Sequence, residues 1–350
     1  VTDRPLASAR SSLAELTLAR LRLFVREPSA VFWTFGFPIL LTIALGIAFR
    51  SRPPEPVHVA VEAGAGAEGA RAALGRGEAV VVEVLEAEQA RTALRVGRVA
   101  VVVVPGAPPT LRFDPTRPES RLARAVVDDL LQRGAGRRDA ILPRDEHVVE
   151  RGARYVDFLV PGLLGLNVMS SGMWGIGWVI VETRQKKLLK RLVATPMRRR
   201  DFLLSFVLFR MVFLAVELPV LLGFAMIAFD VPLRGSAAAF TTVSVLGALA
   251  FAGLGLLVAS RAQNVQTVGG LINLVMMPMW VLSGVFFSAE NFPAALHPFI
   301  RALPLTALND ALRAVMNEGA PLSAVGFEVG LLALVAAATF GVALRIFRWT

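Results

Sequence analysis

The chain has 350 residues, 55% of them hydrophobic and only 18% charged, and its mean hydropathy of +0.60 is too high for an ordinary soluble domain. It has no cysteine, which excludes disulfides, thiolate metal sites and cysteine nucleophiles. The formal charge of +10 sits in loops and termini rather than in a basic patch interleaved with aromatics, so it points to the water-facing ends of a membrane protein and not to nucleic acid.

Residues 6–26 read as an amphipathic helix. Leu13, Leu16, Leu21, Leu23 and Phe24 share one face, and Glu15, Arg22 and Arg26 the other. Pro28 ends it, and such a helix beside a membrane entry is expected to lie in the interface. The plainer alternative is a positively charged lead-in to the first span. Residues 29–49 form that first apolar run, long enough at about 31 Å to cross a hydrocarbon core. It exceeds a signal-peptide core and lacks a small-residue cleavage site, so it is expected to be a retained span.

Residues 50–155 read as an α/β domain. Strand signals at 57–62, 79–85 and 99–105 alternate with helix signals at 68–74, 86–96 and 119–132. The Gly-rich stretch at 64–69 does not keep the spacing of a dinucleotide-binding turn and reads as a plain turn. Five further apolar runs follow, at 158–181, 202–229, 236–260, 265–287 and 322–344. Six spans place both termini on one side, and the arginines and lysines near the N-terminus, in 184–200 and at the C-terminus mark that side as cytoplasmic. The α/β domain is then outside. The connection 288–321, punctuated by Pro293, Pro298 and Pro304, reads as short helices dipping into the outer leaflet, with an amphipathic helix over 307–317. The expected fold is therefore mainly α and polytopic: six transmembrane helices, an N-terminal amphipathic helix and an inserted α/β extracytoplasmic domain.

Segment 182–201, ETRQKKLLKRLVATPMRRRD, packs eight basic residues between two spans and contains every lysine of the chain. Leu188, Leu189, Leu192 and Val193 fall at helical spacing among the charges, and Pro196 is expected to end that short helix. A cytoplasmic loop so patterned is expected to dock onto another protein. No H-E-x-x-H, G-x-S-x-G or paired intramembrane carboxylates occur, and His58, His147 and His297 make no metal-spaced pair. No lysine follows a glycine or precedes Ser or Thr, so the chain carries no P-loop.

Polar residues inside spans are costly and mark cavities or partners. Glu217 lies mid-span, two residues before Pro219, and Arg210 two turns earlier is expected to meet it only through another helix. Asn264, Gln266 and Asn273 open the fifth span, where Pro278 is expected to kink the helix, and they read as helix–helix contacts ahead of substrate contacts. Ser244, Ala248 and Ala252, with Gly255, make a close-packing face, internal or dimeric. Asn167 and Glu328 read as isolated structural residues.

The segments LLKRLVATPMRRRDFLLS (188–205), FDVPLRGS (229–236), the run from 255 to 293 and LPLTALNDALRAVMNEGAPL (303–322) resemble the ABC-2 type family of ABC exporter permeases. The K-R-L-x-A-T-P element and the P-M-x-x-L-S-G-x-F-F run are specific in combination. The Gly-Thr often found before L-K-R-L in similar proteins is Lys187-Leu188 here. The large domain between the first two spans looks like the subgroup with extended extracytoplasmic domains. The resemblance implies a multi-pass permease of a bacterial inner membrane that dimerises and couples to separate cytoplasmic ATPase subunits, which would bind ATP and magnesium. The chain itself would then need no cofactor and would not be an enzyme. It implies that 182–201 is a coupling helix, with Lys190, Arg191, Leu192, Thr195 and Pro196 at the ATPase, and that the N-terminal helix lies on membrane lipids. Glu217, Asn273 and Met277 are the candidate pathway residues. Similar proteins export drugs, lipids, ions or glycans. The alternative from another class is a membrane receptor sensing a ligand through its outer domain.

Overall fold

The computed structural model describes residues 12–48, 56–77, 79–138, 141, 154–194 and 199–348. They fall into two compact units, Val1–Arg50 with Val149–Thr350, and Ser51–Val148. In the first unit, α1 (Ser12–Val25) lies along the third span, with Leu13, Leu16, Leu21 and Phe24 half-buried. The Phe24 ring meets Phe213 edge-on at 4.6 Å. Leu23, expected on that face, is instead 70% exposed, whereas Arg20 turns inward. Span 1 (Pro28–Ala48) begins on a proline whose missing N–H costs nothing in a first turn. Its early part, Phe32–Gly36, is a π-helical turn.

The second unit is an α/β domain. Its sheet has the order β2-β1-β3-β4, from β1 (Val57–Glu62), β2 (Val80–Leu85), β3 (Val101–Val104) and β4 (Thr110–Phe113). The first three are parallel and β4 is antiparallel to β3. Helices α2 (Ala67–Leu74) and α4 (Pro118–Gly134) cover one face over Val59, Val61, Val101 and Val103. Helix α3 (Ala87–Arg95) covers the other, over Ala60 and Val102. Both faces of β1 and β3 are thus buried, which is why those strands read as continuous valine runs. Strand β4 had no counterpart in the expected elements. The Gly-rich stretch is a turn, with Gly66 at φ +90° entering α2, a left-handed conformation that glycine adopts without penalty.

Spans 2–6 are Tyr155–Gln185, Asp201–Phe229, Ala237–Ala259, Val265–Leu282 and Gly326–Ile346. Spans 2 and 4 form the interior. Ser244, Ala248, Ala252 and Gly255 are all buried, and the carbonyl oxygen of Gly172 lies where a Cβ on Gly255 would be only 2.7 Å away. The small-residue face of span 4 therefore packs internally on span 2, the close backbone approach that small residues permit. Span 5 runs unbroken through Pro278 and ends at Leu282, five residues earlier than expected, before a turn with Gly284 at φ +66°. Its outer face, with Leu274, Met277 and Val281, is open.

Span 2 leads at Lys187 into α5 (Leu188–Val193). After span 5 come two 3-10 turns, α6 (His297–Arg301) and α7 (Pro304–Arg313), then a π-helical turn to Glu318. The expected helix over 307–317 begins three residues earlier, on Pro304 in its first turn. Leu305, Leu308, Leu312, Val315 and Met316 are fully buried among spans 2, 4 and 6, so this connection belongs to the bundle core.

Candidate functional site

A cavity of about 1030 Å³ opens between α1 and spans 1, 2 and 3. Its walls are aromatic: Trp33 and Phe37 from span 1, Trp174 and Trp178 from span 2, and Phe206 and Phe213 from span 3. Both π-helical turns of these spans, Phe32–Gly36 and Met173–Trp178, lie on it. Each inserts a residue into the helical ladder and so re-aims the side chains that follow. At the rim sit Arg20, Glu27, Glu182 and Lys186. The Arg20 guanidinium lies 3.3 Å from the Phe206 ring centroid and its Nε donates to Ser205 Oγ at 3.1 Å. Desolvation pulls its pKa down to about 9, which still leaves it cationic at neutral pH, where the ring face stabilises it.

Deeper in, three spans are joined through polar side chains. Arg210 and Glu217 form an ion pair at 2.5 Å within span 3, each almost fully buried. This corrects the expectation that they meet only through another helix. Seven residues are nearly two full turns, so both side chains stand on one face, about 10.5 Å apart along the axis, a gap that two long side chains lying along the helix bridge. Asn167 Nδ2 donates to Glu217 Oε1 at 2.7 Å and to the Thr34 carbonyl oxygen at 3.2 Å. That carbonyl is four residues before Pro38, which has no N–H to bond it. Asn167 fills the gap, and it is part of the site rather than an isolated structural residue. The same device recurs at the other end of span 2. Pro161 has no N–H for the Asp157 carbonyl, and Asn317 Nδ2 donates to that oxygen at 2.8 Å.

At the rim end, Arg184 ties span 2 to the ends of two other spans. Its guanidinium donates to the carbonyl oxygens of Ala259, Ala262 and Arg348, the last carbonyls of a helix being acceptors in need of donors. Segment 182–194, residues 259–262 and the C-terminal end therefore converge at one end of the bundle. The turn from span 2 into α5 is made at Lys187 with φ +58°. The left-handed turn thus forms on a residue other than glycine, at a cost of about 1–2 kcal/mol.

In α5, Leu189 is buried while Lys190 and Arg191 are exposed. Leu192 lies in the same helix, and Thr195 and Pro196 lie outside the described residues. Of the candidate pathway residues, Glu217 is fully buried and reaches the cavity through Arg210 and Asn167. Asn273 and Met277 stand one turn apart on the exposed face of span 5 and do not line the cavity, so the three are not brought together. Asn264 caps span 5, its Oδ1 accepting from Thr267 N at 2.7 Å. Sequence reasoning singles out neither Arg20 nor the wall residues Trp33, Trp174 and Trp178, and it reads Asn167 as an isolated structural residue. Pro38 was the available signal for Asn167, since a proline inside a span calls for a donor to the carbonyl it strands. Among the described residues no group of His, Asp and Glu is arranged to hold a metal.

The ABC-2 type transporter family matches residues 129–317, a stretch that takes in spans 2–5, α5 and α7. ABC transporter G family member 20 of Dictyostelium discoideum is 29% identical over 172 residues, 49% of this chain and 23% of that protein. The probable multidrug ABC transporter permease YbhR of Escherichia coli (strain K12) is 24% identical over 194 residues, 55% of this chain and 53% of the relative. Nodulation protein J of Rhizobium meliloti (strain 1021) is 34% identical over 106 residues, 30% of this chain and 40% of the relative. The chain spans about half the length, or less, of these curated relatives.

Proposed function

The chain belongs to the ABC-2 type transporter family, matched over more than half its length, and from that premise we propose that it is the membrane permease of an ATP-driven exporter. A separate cytoplasmic ATPase would bind ATP and magnesium. The end of the bundle that carries α5 and Arg348 faces the cytoplasm in this reading, and the α/β domain is extracytoplasmic. The relative named as a probable multidrug permease supports an amphiphilic cargo.

The observation that carries the reading is that the cavity and the coupling segment share residues. Glu182, Thr183, Lys186 and Leu188, all within segment 182–201, line the cavity, and Leu188 is the first residue of α5. A push on Lys190, Arg191, Leu192, Thr195 and Pro196 therefore moves a cavity wall directly, and Arg184 carries the same displacement to the ends of spans 4 and 6. Arg191→Glu is the test. Co-purification with the ATPase and substrate-stimulated ATP hydrolysis should each fall roughly tenfold or more, as for a reversed charge at an interface. If neither measurement changed, the coupling role would be wrong.

Gln266, Gly270, Asn273 and Met277 share the exposed face of span 5, and two amides facing lipid are costly. We assign that face to a second copy of the chain, which would close the pathway from the other side. Because the chain has no cysteine, Asn273→Cys makes a single-thiol protein. Oxidation in membranes should give a disulfide-linked dimer, and a monomer under all oxidising conditions would remove span 5 from the interface.

A further inference from the structure

One cation inside the cavity is only half used. Arg210 is 2% exposed and lines the cavity, yet only its Nη1 has a partner, the Glu217 carboxylate. Its Nε and Nη2 are buried with no hydrogen-bond partner. A guanidinium presents its donors as a planar fork, and each unpaired N–H in a desolvated site costs free energy until an acceptor meets it. Nε and Nη2 form one edge of that fork, whose spacing matches the two oxygens of a carboxylate or phosphate. Among the described residues no other cation lines the deep part of the cavity; Arg20 and Lys186 belong to the rim. The surrounding wall is apolar, with Trp174 and Trp178 in ring contact at 5.6 Å and Trp33 across from them on span 1.

We propose that this cavity binds an amphiphile with an anionic head. Its carboxylate or phosphate oxygens accept from Nε and Nη2 of Arg210, and its hydrocarbon lies along Trp33, Trp174 and Trp178. Glu217 does not oppose this binding. It is held by Nη1 and by Asn167, so it fixes the guanidinium plane and leaves the opposite edge for the ligand. The inference names the cargo class of the export reading and rests on it for the word cargo, but the binding itself is measured without nucleotide or ATPase.

The tryptophans make the test direct. Of the five, three line the cavity, and a Trp280→Phe, Trp349→Phe background retains only those. The full chain in zwitterionic nanodiscs is titrated with a brominated fatty acid, with the matching brominated alcohol and with a brominated phosphatidic acid, and tryptophan quenching is recorded. The acid should bind roughly tenfold or more tightly than the alcohol, the value of a charge-assisted hydrogen bond. The phosphatidic acid arm tells a membrane lipid from a free acid as the source of the head group. Arg210→Lys keeps a cation for Glu217 but loses the planar edge, and it should erase most of the preference for acid over alcohol without unfolding the protein. Equal quenching by acid and alcohol, or an undiminished preference in Arg210→Lys, would overturn the proposal. Failure of ATPase stimulation with binding intact would count against the export reading and leave the site standing.

Discussion

Arg210→Leu is expected to destabilise the span bundle by roughly 3–5 kcal/mol, the cost of stranding the partner of a buried ion pair. Glu217 is fully buried, and without Arg210 its carboxylate keeps one donor, Asn167, and loses its ion-pair partner. Glu217→Leu alone should cost less, because Arg210 faces the cavity and can take up water or an anion there. The double change Arg210→Leu, Glu217→Leu should recover most of the single-mutant loss, since a well-packed apolar pair often replaces a buried ion pair at little cost. Unfolding in mixed detergent micelles, run as a double-mutant cycle, gives the coupling energy. A cycle showing the two substitutions to be additive would mean that the pair is not the unit that holds the three spans together.

Gly172→Val is expected to force spans 2 and 4 apart. A Cβ at Gly172 would lie 2.8 Å from Phe251 Cβ and 3.2 Å from the Ala252 nitrogen. The second contact is with backbone, which cannot rotate away. Overpacking of this kind costs about 1–3 kcal/mol in a well-packed core, and Gly172→Ala should already show part of it. Gly223→Ala is the control, since nothing lies within 4 Å of a Cβ there and alanine favours the helix. The thermal midpoint should fall in the order Ala then Val at 172 and hold or rise at 223. An unchanged midpoint for Gly172→Val would show that the contact between the two spans is loose.

Much of this architecture was legible because its signals are periodic. The strands at 57–62 and 79–85 and the helices of the α/β domain came within a residue or two of their observed bounds, since each alternates or repeats over a full element. Strand β4 escaped because four residues are too few to show a period, and its place was decided by pairing along β3. Span 5 was drawn too long because the residues after Leu282 are as apolar as the span itself. Hydropathy does not register the left-handed glycine at 284 that ends the helix. In the candidate site, Glu217 was visible as a carboxylate in an apolar run, but its partners were not. Asn167 is fifty residues away on another span, and only packing brings them together.

By itself the sequence determined that this chain carries six runs long and apolar enough to cross a membrane, that its basic segment 182–201 lies between two of them, and that it has no P-loop motif. These follow from composition, run length and spacing, which are properties of the chain read locally. Tertiary structure decided that the small-residue face of span 4 turns inward, that Asn167 supplies the donor Pro38 removes, and that the residues leading from span 2 into α5 line the cavity. Each of these depends on which helix stands beside which. In an apolar bundle that choice is set by backbone approach and by the few polar groups that must find partners, and neither leaves a period in the sequence.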